Sequence, residues 1–512
     1  MNRFKQQIHN LEDIIKSCAP NAYYVGGCVR DYFLKKYSYD IDLTMPRCQV
    51  KDAAFKLAKI LKASVFEMDP QFCVWRLTAK NGLQIDLCAF VGGSIEKDLK
   101  RRDFTINALA YPVGGQLKIK TKKEGKKVSV LLTGLEWGNI VDLNSGIDDI
   151  NAKIIRANTN KVFTEDPLRL LRAFRMYAEL GFNIEPKTFA LIRKYSTFIW
   201  QAAGERIQEE LKRMFFPKGT GLLLRQMDES GILCSLLPEL EKQKNCALCY
   251  YGEGGVFTHT LKVVERMEFL LNNLQKAFPK FYRKLKPYPQ DIFVYKLTAL
   301  LHDIAKPATA KMINGRLRFF HHEETGAAMA EKFLKRIKVS NDTQKLICKM
   351  IYYHLRPSNL ASNEIVTDKG IYKFFKELGV AGIPMLLLCW ADYTSYVRPR
   401  QIYNLMRKSV LPVMTIEEAK QKENTGKTLR HMQMLNFLFS KYFNEAKRFV
   451  APPKIVDGKD IMEVLGIAPG PRVGRILETL TLAQVEGRIN GRDEALTFLK
   501  ENKKTFLGYN NN

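Results

Sequence analysis

Two aspartates separated by one residue, Asp40 and Asp42, are the most chemically pointed feature of the sequence. On an extended strand this spacing sets both carboxylates on one face, where they can hold hard divalent cations. Upstream runs Tyr24-Val-Gly-Gly-Cys-Val-Arg-Asp31. Tyr23, Tyr24 and Val25 read as a short strand, and Gly26-Gly27 bends the chain where a side chain would keep a ligand away. Residues 28–34 read as the first turns of a helix, whose opening N–H groups form an anion site. A phosphate cradle beside paired carboxylates is what two-metal nucleotidyl transfer requires. The plainer alternatives are a tight turn and a solvated strand edge; the order and spacing of the two features favour the chemical reading.

Further candidates follow along the chain. Asp86, between Ile85 and Leu87, falls in the second strand of a hairpin expected at 73–78 and 83–90 with its turn at Asn81-Gly82. It is a third carboxylate for the same site, or else an edge-strand acid. Arg101, Arg102, Asp103 and Asn107 stand close together, arginines suited to phosphate oxygens and Asp or Asn to ribose hydroxyls. A solvated basic turn is the competing account. The stretch Thr164-Glu-Asp-Pro-Leu-Arg-Leu-Leu-Arg predicts a helix capped by Thr164, with Glu165, Asp166, Arg169 and Arg172 on one face. Such a face is either a set of ordinary ion pairs or a donor and acceptor edge able to read a nucleobase.

A second chemistry begins after residue 226. Of seven histidines, five lie between 259 and 354: His259, His302, the pair His321-His322, and His354. With Asp303 directly after His302, and Asp392 beyond, they form a set of imidazole and carboxylate ligands on helices, suited to a metal-dependent hydrolase. Packed core histidines are the alternative. Near the end, Lys459 follows a glycine, and Gly-Pro-Arg472-Val-Gly-Arg475 opens a helix, a pattern suited to a phosphate backbone or to a plain helical linker.

Positioning these groups takes several elements. Apolar positions Phe4, Ile8, Leu11, Ile14 and Ile15 predict a leading helix over 3–19, residues 53–61 predict another, and 116–133 predicts a lysine-rich hairpin around Glu124-Gly125. Those lysines either meet a phosphate backbone or guard an exposed strand edge. The segment from Gly204 to Met214, with Ile207, Leu211 and Met214 on one side, reads as a packing helix. At 512 residues the chain exceeds a single core, and three or four domains are expected. A net charge of +28 makes nucleic acid the first candidate partner. The polar start and the absence of an apolar run of spanning length predict a cytoplasmic protein without a membrane, and ten scattered cysteines predict reduced thiols. Cys246 and Cys249, the one Cys-x-x-Cys pair, are expected to be structural rather than zinc ligands.

The ordered motifs Gly26-Gly27-Cys-Val-Arg30-Asp31, Asp40-Ile-Asp42, Arg101-Arg102-Asp103-Phe-Thr-Ile-Asn107 and Glu165-Asp166-Pro-Leu-Arg169-Leu-Leu-Arg172 resemble those of the class II tRNA nucleotidyltransferase and bacterial poly(A) polymerase family. The series His259, His302-Asp303, His322, His354 and Asp392 resembles the HD phosphohydrolase domain fused to many members, and residues 458–477 resemble their tRNA-binding tail. The resemblance implies an α+β fold: a nucleotidyltransferase head with a mixed sheet and helices at 1–150, then a helical neck at 151–225, an HD domain at 226–445 and a tail at 446–512. It implies Mg²⁺ on Asp40 and Asp42, with Asp86 as a third catalytic carboxylate, and a triphosphate on Gly26 and Gly27. Arg30, Arg102, Asp103, Asn107 and Arg172 would line the nucleotide, and Asp166 and Arg169 would template the incoming base. The HD residues would hold a divalent transition metal, and Lys459, Arg472 and Arg475 would touch RNA. The substrates implied are tRNA, CTP and ATP, with poly(A) synthesis or HD hydrolysis of RNA or nucleotide phosphates as alternatives. Two departures stand out. The flexible loop that usually separates the third acidic strand from the Arg-Arg-Asp motif is reduced to residues 87–100, which leaves open addition of CC only, and the basic hairpin at 116–133 is longer than the usual link.

Overall fold

The computed structural model describes residues 11–125 and 127–507. The chain forms two compact units, one running to Met214 with Arg225–Leu236 added, the other made of Phe215–Leu224 and the chain from Leu237 onward. The residues expected as head and neck fall mainly in the first unit, and those expected as HD domain and tail mainly in the second.

The first unit is organised by a seven-stranded mixed sheet. Its strands are β1 (Tyr23–Val25), β2 (Asp40–Met45), β3 (Ala63–Asp69), β4 (Val74–Ala79), β5 (Gln84–Ala89), β6 (Leu109–Pro112) and, after a separate hairpin β7 (Lys118–Glu124) and β8 (Lys127–Thr133), β9 (Val141–Asp142). The order across the sheet is β3-β4-β5-β2-β1-β6-β9. Only β2 and β5 pair in parallel, and β4 and β5 form the expected hairpin. Asn81 Oδ1 accepts from Leu83 N–H at 3.0 Å and Gly82 sits at φ +85, so the turn takes the residue types it needs. Strands β2 and β5 alternate buried Ile41, Leu43, Ile85 and Leu87 with half-buried acids. One face therefore builds the core while the other is left for chemistry.

Helices α1 (Leu11–Cys18), α2 (Gly27–Phe33), α3 (Arg47–Leu61) and α4 (Ile95–Lys100) pack around the sheet, and α5 (Gly146–Ala152), α6 (Val162–Glu165), α7 (Arg169–Leu180), α8 (Pro186–Tyr195) and α9 (Gly204–Phe215) follow in the chain. The leading helix expected from residue 3 is seen from Leu11; Phe4 and Ile8 lie outside the described residues. Helix α3 starts six residues earlier than expected, at Arg47, because Pro46 fixes the extended entry and Val50 continues the buried stripe of Ala53, Ala54 and Leu57. A second difference concerns Thr164. It lies in the last turn of α6, its hydroxyl bonded to Lys161 O, and does not cap a long helix. Asp166 is extended (φ −145, ψ 100), Pro167 follows, and α7 opens at Arg169. The residue before a proline is pushed out of the helical region, so the break falls there.

The second unit is helical. Its site is built by α10 (Gly255–Asn272), α11 (Ile292–Leu301), α12 (His322–Arg336), α13 (Asn341–Tyr353), α14 (Asp368–Leu378) and α15 (Gly382–Thr394). Residues Asp368–Thr394 form the one described stretch long and apolar enough to cross a membrane, and 78% of its apolar window is buried inside the unit. This corrects the expectation of no such run; the stretch breaks at Gly379 and packs as core. Beyond α16 (Glu423–Asn444), the tail helices α17 (Gly458–Leu465), α18 (Pro471–Val485) and α19 (Arg492–Glu501) close their own core around Ile461, Leu465, Ile476, Leu480 and Leu499.

Candidate active site and metal centre

Strand register gathers the first site. Asp40 and Asp42 point to one face of β2, and the parallel pairing sets Asp42 opposite Asp86 on β5. Arg76 on β4 lies opposite Asp86 in turn and grips it with two hydrogen bonds, Nε to Oδ1 at 2.8 Å and Nη2 to Oδ2 at 2.6 Å. Arg76 was not foreseen, because nothing in its own surroundings in sequence marks it. Burial, then the charges of Asp40 and Asp86, push the Asp42 carboxyl up to about 7. A half-buried group of three carboxylates wants a cation, and hard oxygen donors suit a divalent one.

Gly26 closes the other side. It adopts φ +69, and a Cβ there would lie 3.2 Å from Arg102 Nη1 and 3.4 Å from Asp42 Oδ2, so only glycine leaves the gap between them open. Gly27 then begins α2, whose first N–H groups have no intrahelical carbonyl to reach. Arg102 is held by Asp98, Nη2 to Oδ2 at 2.9 Å, leaving Nη1 turned toward Gly26 and Asp42. Asp98 Oδ1 in turn accepts from Val91 N–H at 3.2 Å, inside the short 87–100 segment. The short connection thus fixes the arginine.

Behind these groups runs a buried polar chain. Arg30 grips Asp31 Oδ1 with Nε and Nη2 at 2.9 and 2.7 Å and donates from Nη1 to Asn107 Oδ1 at 2.7 Å. Asn107 donates to Asp103 Oδ1 at 3.0 Å, and Arg172 Nε donates to Asp103 Oδ2 at 2.8 Å. Arg175, within 2.8 Å of Glu210, and Arg172, 3.7 Å from the same residue, extend the chain onto α9. Burial alone would raise the Asp103 carboxyl; the Arg172 charge and the bonds from Asn107 and Phe104 N–H hold it well below the usual carboxylate range. Arg30, Asp103 and Asn107 are all under a tenth exposed. Their polar atoms are committed to one another, so they fix the positions of α2, the Arg-Arg-Asp turn and α7. Helix α9, expected only to pack, buries Ile207, Leu211 and Met214 and also supplies Glu210 and Arg206.

Asp166 does not face Arg169. Its Oδ2 accepts from Arg206 Nη2 at 2.9 Å and its Oδ1 from Leu168 N–H at 3.1 Å. Arg169 Nη2 donates to Arg101 O at 3.1 Å, and its Nη1 lies 3.5 Å from Glu165. The Asp166 and Arg206 pair stays partly open to solvent, a carboxylate and a guanidinium side by side on rigid elements.

The second unit brings all six expected ligands together. His302 and His354 cap the C-terminal ends of α11 and α13, His322 opens α12, His259 comes from α10 and Asp392 from α15. Three imidazoles donate Nδ1–H to a carbonyl three residues back: His302 to Ala299 at 2.8 Å, His322 to Phe319 at 2.6 Å, His354 to Ile351 at 2.6 Å. That fixes the tautomer and turns Nε2 inward. Asp303 lies at the centre, 3.2 to 3.7 Å from the Nε2 atoms of His302, His259, His322 and His354, and His259 also faces Asp392 at 3.2 Å. His259 and His302 Nε2, Asp303 Oδ1 and Asp392 Oδ1 are buried with no hydrogen-bond partner, while Asp303 Oδ2 is met by a lysine. Such orphaned atoms are costly unless a cation takes them, so the set fits a divalent metal. Burial pushes His354 down to about 4, which keeps its lone pair available. Two neighbours were not foreseen: Lys306, whose Nζ lies 2.6 Å from Asp303 Oδ2, and Tyr251, whose hydroxyl accepts from Lys306 at 2.8 Å. The Asp-x-x-Lys spacing was the available signal. His321 is exposed and apart.

In the tail, Gly470 precedes α18, and Arg472 and Arg475 are exposed on its first turns, as is Lys459 on α17. Cys246 is buried and Cys249 exposed, both as free thiols.

The Poly A polymerase head domain family matches residues 75–156, the family described as a probable RNA and SrmB-binding site of polymerase A matches 181–244, and the HD domain family matches 256–396. The chain is 25% identical to the A-adding tRNA nucleotidyltransferase of Deinococcus radiodurans, covering 94% of this chain and 95% of that protein. It is 26% identical to the CC-adding tRNA nucleotidyltransferase of Thermus thermophilus, over 94% and 93%. A solved complex of a CCA-adding enzyme with ATP shares the fold, with a TM-score of 0.61 at 20% identity over 99% of this chain and 95% of that one. A nucleotidyltransferase head and an HD domain both imply dependence on divalent metal. The chain is therefore an enzyme of the class II tRNA nucleotidyltransferase and bacterial poly(A) polymerase family, with a fused HD domain.

Proposed function

We propose that this enzyme adds C, A or both from CTP and ATP to the 3′ end of tRNA without a nucleic-acid template. The observation that carries the reading is the placement of Asp42 opposite Asp86, across the Gly26 gap from Arg102 Nη1. Asp40 and Asp42 would hold Mg²⁺, whose chemistry there is to activate the RNA 3′-hydroxyl and neutralise charge on the α-phosphate. Gly26 admits the triphosphate to the start of α2, and Arg102 meets its oxygens. Asp98 keeps that guanidinium in place, so little reorganisation accompanies binding. Asp166, with Arg206 beside it, and Arg169 at the start of α7 would offer acceptor and donors to the Watson–Crick edge of the incoming base. Exposed Lys459, Arg472 and Arg475 suit the RNA backbone. Head, neck, HD domain and tail are assigned to 1–150, 151–225, 226–445 and 446–512.

Incubation with tRNAs ending before CCA, in C and in CC, with labelled CTP or ATP, tests the reading. Extension of at least one is expected, and extension of none overturns it. The short 87–100 segment favours a narrower outcome, CC without A, since it leaves no room for a long mobile loop. The orphaned ligand atoms around Asp303 favour a second, independent activity of the HD domain, metal-dependent hydrolysis of RNA or nucleotide phosphates.

A further inference from the structure

The hairpin β7–β8 plays no part in the chemistry above. It is a two-stranded sheet of its own, in which Lys118 pairs with Thr133, Lys120 with Leu131, Lys122 with Ser129 and Glu124 with Lys127. This register puts Lys118, Lys120, Lys122 and Lys127 on one face. On β7 Lys118, Lys120 and Lys122 alternate with Ile119 and Thr121, so these neighbours are spaced by about 7 Å, while Lys123 falls on the other face. The opposite face carries Val128, Val130 and Leu132, all buried. The hairpin is therefore anchored by one face and shows a row of ammonium groups on the other. Among the described residues, no carboxylate is ion-paired with Lys118, Lys120 or Lys127.

Two aromatic rings join that face. Lys122 Nζ lies 5.8 Å from the ring centre of Tyr37 and Lys127 Nζ 5.6 Å from that of Tyr39, and both rings are exposed, at 38% and 53%. The segment between them is tied to the hairpin, since Ser38 N–H bonds Val130 O at 2.8 Å and Val130 N–H bonds Ser38 O at 2.7 Å. Ser38 Oγ also donates to Asp40 Oδ1 at 3.1 Å. The residue between the two tyrosines, buried on the anchored side of the hairpin, thus ties this segment to the first catalytic carboxylate.

We propose that the outward face of β7–β8, with Tyr37 and Tyr39, is a track for single-stranded RNA that leads its 3′ end toward Asp40 and Asp42. A row of cations beside exposed rings suits a strand whose phosphates follow the lysines while its bases stack. The inference rests on the nucleotidyl-transfer reading.

The test uses full-length protein, an unstructured RNA dodecamer read by fluorescence anisotropy over a range of salt, and CTP binding by calorimetry. The variants are Lys118→Ala/Lys120→Ala/Lys122→Ala, Tyr39→Ala, and a control triple, Lys51→Ala/Lys56→Ala/Lys59→Ala, on the exposed side of α3. The hairpin triple is expected to weaken RNA binding about tenfold or more and to make the salt slope shallower by about 2, the loss of three phosphate contacts to a single strand. Tyr39→Ala should weaken binding with the slope unchanged, and CTP binding should be the same in all. RNA binding and slope at wild-type values in the hairpin triple overturn the proposal, and aggregation of that variant would then identify the lysines as edge guards. Equal weakening by the control triple overturns it too, as a general charge effect. Because binding is read without turnover, a wild-type enzyme that extends no tRNA would sink the transfer reading while leaving this comparison to give its own answer.

Discussion

Asp86 stands opposite Asp42 on the neighbouring parallel strand, yet both of its oxygens are held by Arg76, at 2.8 and 2.6 Å. The three carboxylates of the head are therefore unequal. Much of the Asp86 charge is already met by Arg76, while among the described residues no arginine or lysine is ion-paired with Asp40 or Asp42.

This inequality predicts a graded response. Asp42→Asn should lower nucleotide incorporation by about 10³-fold or more, equivalent to about 4 kcal/mol of transition-state stabilisation. Asp86→Asn should cost clearly less, because it also releases Arg76. Steady-state incorporation on one tRNA substrate compares the two, and equal losses would show Asp86 to be a full metal ligand.

Arg172 and Asp103 predict a pH signature. The Asp103 carboxyl is held below its ordinary value of 3.8, so its contribution to stability is fully present above pH 4 and disappears as pH falls through the depressed value. Breaking such a buried pair costs about 3–5 kcal/mol, so Asp103→Asn should show that deficit at pH 7 in urea unfolding of the first unit. The deficit should persist to about pH 4 and shrink only below it. A deficit that fades between pH 7 and pH 5 would mean that Arg172 does not hold the charge.

In the HD domain, Lys306 meets Asp303 at 2.6 Å and Tyr251 at 2.8 Å. Lys306→Met should reduce phosphohydrolysis of a chromogenic phosphodiester by about 10²-fold, as expected for loss of a positioned charged group, while nucleotide addition by the head is unchanged. Divalent metal should raise the melting temperature of the wild type, and Asp303→Ala should abolish that rise. A metal response that survives in Asp303→Ala would place the ion elsewhere.

Strand alternation made part of the head legible in sequence: Asp40 and Asp42 had to share a face of β2, and the Asn81-Gly82 turn fixed the hairpin, whereas Asp86 reaches that face through the parallel register of β2 and β5, which no local spacing sets. The HD ligands were legible as residue types, since histidines are scarce in this chain and five of the seven cluster. What sequence left out were the partners: Arg76 for Asp86, Glu210 for Arg172, Arg206 for Asp166, Lys306 for Asp303. Each is an ordinary charged residue whose partner is chosen by tertiary packing, not by local spacing. Thr164 failed for a related reason. Its neighbours suit a helix cap, and the constraint that Pro167 places on Asp166 outweighed them.

Arg206 carries the last prediction. It lies on α9, forty residues from Asp166, and holds that carboxylate at 2.9 Å while remaining about half exposed itself. A carboxylate free to rotate can present itself to many partners, whereas one clamped from one side offers a single edge. Arg206→Ala should therefore lower discrimination between CTP and ATP, read as the ratio of their kcat/KM values on one tRNA, by about tenfold, or 1.4 kcal/mol. Arg206→Lys keeps the charge and loses the planar fork, so it should restore only part of that ratio. A variant that loses activity equally with both nucleotides would show that Arg206 supports the fold of the neck and has no hand in choosing the base.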